Sequence, residues 1–229
     1  MDIEDAYEAY DQGNYRLAAV IAQALAASGD VEAQRCLGKL YEEGKGVQQS
    51  YEEAEKWWLR AAEAGDAVSQ GNLGSLYQRR KDYQEALKWL RLGVAQGNSL
   101  CQYNLAHMYD KGRGVAQDYT EAARLFGLAA QQGDADAQHK LGYMYGKGFG
   151  VCQDHKKAFG LFLKAAAQGH VEATRNVGVA FANGWGVPRD PVQAEQWFQL
   201  AKSGGMTFVV VEFDSDVRSV EINLDDPVT

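Results

Sequence analysis

Apolar residues in this chain recur on helical faces, and the pattern returns about every 36 residues. Between Ala135 and Lys147, the residues Ala137, Leu141, Met144 and Tyr145 fall at i, i+4, i+7 and i+8, one side of a helix. Further on, Ala158, Leu161, Phe162, Ala165 and Ala166 make a second stripe of the same period. Together they predict two antiparallel helices. The pair recurs in blocks opened by Gly29, Gly65, Gly97, Gly133, Gly169 and Gly205, which stand 36, 32, 36, 36 and 36 residues apart. Position six of each block is Gln34, Gln70, Gln102, Gln138 and then Thr174; position thirteen is Tyr41, Tyr77, Tyr109, Tyr145 and Phe181. Self-similarity at a fixed period near 35 residues marks a stacked repeat protein. The first helix of a block is expected from about position three to fifteen. Gly142, inside such a helix, lowers helix propensity by roughly 1 kcal/mol relative to Ala, so close helix packing is its expected compensation. The opening glycine suits a helix C-terminus, and Asp30, Asp66, Asn98 and Asp134 just after it suit the next N-cap.

Four blocks also carry a Gly-x-Gly-Val loop, at Gly44 to Val47, Gly112 to Val115, Gly148 to Val151 and Gly184 to Val187. Each precedes a segment like Tyr51-Glu52-Glu53-Ala54-Glu55-Lys56-Trp57-Trp58-Leu59-Arg60-Ala61-Ala62. Over about Ser28 to Gly205 these motifs resemble the Sel1-like repeat family, relatives of the tetratricopeptide repeat. The second block departs, with Arg79-Arg80-Lys81-Asp82-Tyr83 in place of the glycine loop. The resemblance implies an all-α, right-handed α/α superhelical solenoid of about five repeats, with the first helices lining its concave face. Residues 1–28 read as a tetratricopeptide-like half-repeat or cap, 29–205 as the repeats, and 206–229 as an acidic, β-prone tail. The family implies a non-catalytic adaptor in signalling, stress response or secretion. An inhibitor of the immunity type, blocking a partner enzyme, is a second expectation.

The hydrophobic content, 46% of 229 residues, suffices for a core, and no apolar run reaches the ~20 residues of a membrane span. A net charge of −8 argues against nucleic acid as a main partner. The acidic start lacks the order of a secretory signal, so a cytoplasmic protein is expected; a periplasmic or secreted one is the alternative if a signal peptide was removed. Cys36, Cys101 and Cys152 cannot close a disulfide set and read as free thiols in a reducing compartment. The tail holds six acidic residues and one basic residue, Arg218. Its segments Thr207 to Phe213 and Ser219 to Leu224 read as strands in need of a partner surface, since an isolated hairpin is marginal in water.

At 100° per residue, positions four, seven, eleven, fourteen and fifteen of a block point away from the buried stripe. In blocks three and four this places Tyr103, His107, His139 and Tyr143 toward one trough, with Arg35, Lys39, Arg79, Lys111, Lys147 and Arg175 around them. Rigid aromatics are frequent binding hot spots. An aromatic, partly basic groove suits a protein or an extended acidic peptide, and the acidic tail has the composition to dock in its own or a neighbouring groove. The bland alternative is a solvated face whose aromatics stack on one another. No catalytic residues, cofactor or metal are expected. A hydrolase or metal site at His107 and His139 is the weaker reading, because no third ligand has a convincing spacing. Trp57, Trp58, Trp89 and Trp197 read as repeat packing, and Trp185 as an exposed loop residue.

Overall fold

The computed structural model describes residues 2–204, which form twelve α-helices and no strand. The tail segments predicted as strands lie outside the described residues. The chain divides into two compact units, one up to Ala116 and one from Gln117. The first contains α1 (Ile3–Asp11), α2 (Tyr15–Ala27), α3 (Val31–Glu43), α4 (Tyr51–Glu63), α5 (Ala67–Arg79), α6 (Tyr83–Ala95) and α7 (Ser99–Lys111). The second contains α8 (Tyr119–Gln131), α9 (Ala135–Lys147), α10 (His155–Ala166), α11 (Val171–Asn183) and α12 (Pro191–Lys202). Within each unit consecutive helices pack pairwise, the architecture of a helical solenoid.

Cap chemistry sets the boundaries. The carboxylate of Asp30 accepts the Ala33 N–H at 2.7 Å, and Asp66, Asn98 and Asp134 do the same for Ser69, Cys101 and Ala137. Each satisfies one of the orphan donors of a first turn. The fifth first helix is capped by His170, whose Nδ1 accepts the Ala173 N–H at 3.1 Å. The left-handed glycine that closes α12 is Gly204, at φ 89°, one residue before the sixth glycine of the sequence series.

The repeated glutamine at position six acts as a bolt between repeats. Gln34, Gln70 and Gln138 are buried, and their Nε2 groups donate to the carbonyls of Ala26, Ala62 and Ala130 in the last turn of the preceding helix. Each of those carbonyls also accepts the N–H of the glycine closing its helix, Gly29, Gly65 or Gly133, and the glutamine takes its second acceptor position. The Oε1 atoms of Gln70 and Gln138 in turn accept from Gln96 and Gln168 at 2.9 Å.

Glycine at position ten admits a large side chain from the second helix of its own repeat. A Cβ on Gly38 would stand 2.4 Å from the indole nitrogen of Trp58, and one on Gly74 2.3 Å from Leu90. Gly142 faces Phe162 and Gly178 faces Phe198 in the same way, each at 2.8 Å. The close packing expected at Gly142 is thus present and recurs along the chain. Trp58 and Trp197 are almost fully buried, and Trp57 packs among residues of α2. The apolar stripe of α10 is wider than its period predicts: Phe159 and Leu163 are buried, while Leu161 and Phe162 are half-buried. The helix packs against both α9 and α11, so two of its faces are covered.

The second glycine of each Gly-x-Gly-Val loop rests on the first residue of an earlier second helix. A Cβ on Gly46, Gly150 or Gly186 would lie 1.9–2.1 Å from the carbonyl oxygen of Tyr15, Tyr119 or His155. The residue between the glycines stacks on the same helix start: Phe149 on Tyr119 at 5.1 Å, Trp185 on His155 at 5.6 Å, and Lys45 over the Tyr15 ring at 5.0 Å. At Gly114 the neighbour is the Tyr83 side chain. The start of α4 has no such glycine above it, because the second repeat has the short loop; there Arg79 lies over the Tyr51 ring at 5.3 Å.

Candidate functional site

In the first unit, two cavities of about 360 and 520 Å³ open along the first helices and share Glu42 and Asn72 as lining residues. They adjoin there as a trough, one part bordered by α1, α3 and α5 and the other by α3, α5 and α7. Arg35, Lys39 and Arg79, expected as contact residues, all line it. Tyr7 and Tyr10 of α1 wall one end; Ser75, Asn104 and Arg113 line the other.

The trough is less basic than its cations suggest. Arg35 bridges Glu32 at 2.6 Å and Asp66 at 2.9 Å, and its guanidinium also donates to Tyr7 Oη. Arg79 pairs with Glu42 at 2.8 Å. Lys39 lies 4.0 Å from Glu43 and 5.5 Å from the Tyr10 ring. Glu43 is held below the usual carboxylate range against burial, by hydrogen bonds from Tyr10 and Lys45. Charge is therefore alternating along this face rather than uniformly positive. Position eight supplies Asn72 and Asn104, and the Asn104 amide donates to Ser75 Oγ at 2.9 Å. Helical azimuth alone does not single out these asparagines, because positions seven and eleven lie on either side of them. Their recurrence as Asn72, Asn104 and Asn176 was the available signal.

Tyr103 and His107 are half-buried on α7, and Lys111 at its end pairs with Asp110 at 2.8 Å. In the second unit, Tyr143 and Lys147 line a cavity of about 370 Å³ between α9, α10 and α11. Arg175 is exposed on α11. His139 sits beside the cavity: its Nε2 accepts from the Asn176 amide at 3.0 Å, and its ring lies 4.5 Å from that of His170. The His170 Nε2 reaches Asp136 at 3.2 Å. Cys101 is buried, and burial pushes its thiol up to about 12, far from a reactive nucleophile. Among the described residues no group of three or more His, Cys, Asp or Glu is placed to hold a metal ion.

Burial, aided by the nearby His170 and Lys140, lowers the His139 pKa from its ordinary 6.5 to about 4; Glu172 and Asp136 oppose this weakly. The folded state therefore holds His139 neutral where the unfolded chain protonates it. That contribution to stability is complete above pH 6.5 and is lost as the pH falls toward 4. Thermal melting followed from pH 7 to pH 4 is expected to show a fall in this window that His139→Gln reduces. An identical profile in the variant contradicts the assignment.

No curated protein matches the chain in sequence. Solved structures do. A Sel1 repeat protein from Oxalobacter formigenes superposes with a TM-score of 0.82 at 31% identity, over 89% of this chain and 85% of that one. A protective antigen of uropathogenic Escherichia coli strains, displaying an SLR fold, matches at 31% identity and a TM-score of 0.55, over 86% of this chain and 52% of its own length. An immunity protein from Pseudomonas aeruginosa shares the fold, with a TM-score of 0.61 at 17% identity over 89% and 84% of the two chains. The family profile of the Sel1 repeat matches residues 31–66, 67–98, 99–134, 135–170 and 171–206. The helix pairs recur in register in all five blocks, the position-ten glycine and the loop glycines in four each, and the chain belongs to the Sel1 repeat family.

Proposed function

We propose that the chain is a non-catalytic recognition protein that lays an extended segment of a partner protein across the first helices of its repeats. The observation that carries this reading is the pair of adjoining cavities in the first unit, which share Glu42 and Asn72 as lining residues. Recognition sites are concave, with a few placed polar groups that fix orientation. Here the amides of Asn72 and Asn104 face a peptide backbone, and the alternating charges of Arg35, Glu42 and Arg79 read its side chains. The Tyr7 and Tyr10 rings supply contact area at low entropy cost. Solenoids build such extended surfaces from neighbouring repeats. On this reading the acidic tail, residues 206–229, is an internal ligand of a first-helix surface rather than part of the scaffold.

A photo-crosslinker at Ser75, inside the trough, is expected to capture a defined partner peptide, while one at exposed Lys88 on α6 is not. Arg79→Glu is expected to weaken that partner at least tenfold, the scale of ~1.4 kcal/mol, by turning an attractive contact repulsive. Equal capture from both positions, or undiminished affinity in Arg79→Glu, rejects the trough as the site.

A further inference from the structure

The cavity of the second unit has a composition unlike the trough. Its walls are Tyr143, Phe159, Phe162, Val179 and Trp185, and Lys147 is the one Lys, Arg, Asp or Glu among its described lining residues. Tyr143 and Trp185 are 46% and 47% exposed, large rings left facing water at the cavity mouth. The Lys147 ammonium stands 6.0 Å from the Tyr143 ring. The space exists because position fourteen of this repeat is Gly146, where the first three repeats carry Glu42, Gln78 and Asp110. A Cβ on Gly146 would meet nothing closer than Ala158 at 3.8 Å. An apolar hole with a single cation at its edge selects an apolar side chain flanked by carboxylates.

The chain itself carries that sequence. In the tail, Phe213 stands between Glu212 and Asp214, whereas Phe208 stands between Thr207 and Val209. We propose that the tail folds back on its own molecule and seats Phe213 in this cavity, with Glu212 and Asp214 toward Lys147. The inference rests on the reading of first helices as recognition surfaces. The geometry permits it. The chain leaves α12 beside the start of α11, and α11 has 13 residues, about 20 Å of helix. The nine residues from Gly205 to Phe213 reach at most about 30 Å when extended. Charge favours it as well, since the tail carries six acidic residues and a single base.

That base is also the reporter. Arg218 is the only tryptic site in the tail, and cutting there releases residues 219–229. Trp185 is the exposed tryptophan; Trp57, Trp58, Trp89 and Trp197 are buried, so collisional quenching by acrylamide reports mainly on Trp185. In the full chain, Phe213→Ala is expected to speed release of 219–229 on the order of tenfold, the loss of one buried Phe side chain, and to raise Trp185 quenching. Gly146→Gln fills the cavity with the residue that the second repeat has at this position and gains helix propensity. With the circular dichroism of the parent it is expected to act like Phe213→Ala. The trough variant Arg79→Glu is expected to leave both readouts unchanged, which separates this inference from the partner site. Equal cleavage and quenching in the parent, Phe213→Ala and Gly146→Gln overturns it. Protection that increases with protein concentration assigns the tail to a second copy and overturns the intramolecular docking.

Discussion

Gly150→Ala is expected to lower the melting temperature by about 10 °C, although it adds one methyl group to a loop. Gly150 has φ +68°, a region that costs an L-residue roughly 1–2 kcal/mol. The new Cβ would also stand 2.1 Å from the Tyr119 carbonyl oxygen, 2.2 Å from its carbon and 2.5 Å from the Thr120 nitrogen. All three are backbone atoms at the start of α8, so no side-chain rotation relieves the contact. Separating the loop from the helix adds about 1–3 kcal/mol. Near 3–4 kcal/mol in total, at 2–4 °C per kcal/mol for a chain of this size, gives the stated shift. Gly148→Ala is the control. It has a similar φ of +74°, but its Cβ would meet nothing closer than the Gln153 Cβ at 3.4 Å, so mainly the conformational part remains. Calorimetry of the two variants separates close approach from backbone strain, and equal shifts refute the close approach.

Trp58→Ala is expected to cost about 3–5 kcal/mol, the range for truncating a buried Trp. The indole is 1% exposed, fills the groove left by Gly38 and donates to the Arg35 carbonyl at 3.3 Å. A second change tests the pairing. Gly38→Leu alone forces a side chain into the indole and is destabilising despite better helix propensity. Combined with Trp58→Ala, it refills the hole from the opposite helix. The double variant is expected to be more stable than either single one, a coupling of sign and size that a double-mutant cycle reads directly. Additive losses in chemical denaturation refute the pairing.

The repeat register, the helix limits of α9, the polar caps and the need for a partner opposite Gly142 are all legible in the sequence, because each depends on residues close in sequence. The contacts that define the trough are not. Arg35 meets Asp66, and Arg79 meets Glu42, from one repeat to another, and a helical azimuth locates the Arg without its counter-ion. For that reason a groove expected to be basic is charge-alternating. His139 shows the same limit. Its nearest ring within the unit is His170, a residue the sequence offered only as a departure from the Asp and Asn caps of earlier repeats. Phe159 and Leu163 escaped the stripe of α10 because a single-face period does not anticipate a helix covered on two sides.

The short loop of the second repeat has a mechanical meaning. Where Gly46, Gly150 and Gly186 press backbone on backbone, a pull along the chain meets a stiff joint with no torsion to yield. At the start of α4, among the described residues, the counterpart is the Arg79 guanidinium over the Tyr51 ring, a contact carried on a long, flexible side chain. The four residues missing from that block leave the start of α4 without the backbone-on-backbone contact found at the starts of α2, α8 and α10, beside the trough that Arg79 lines.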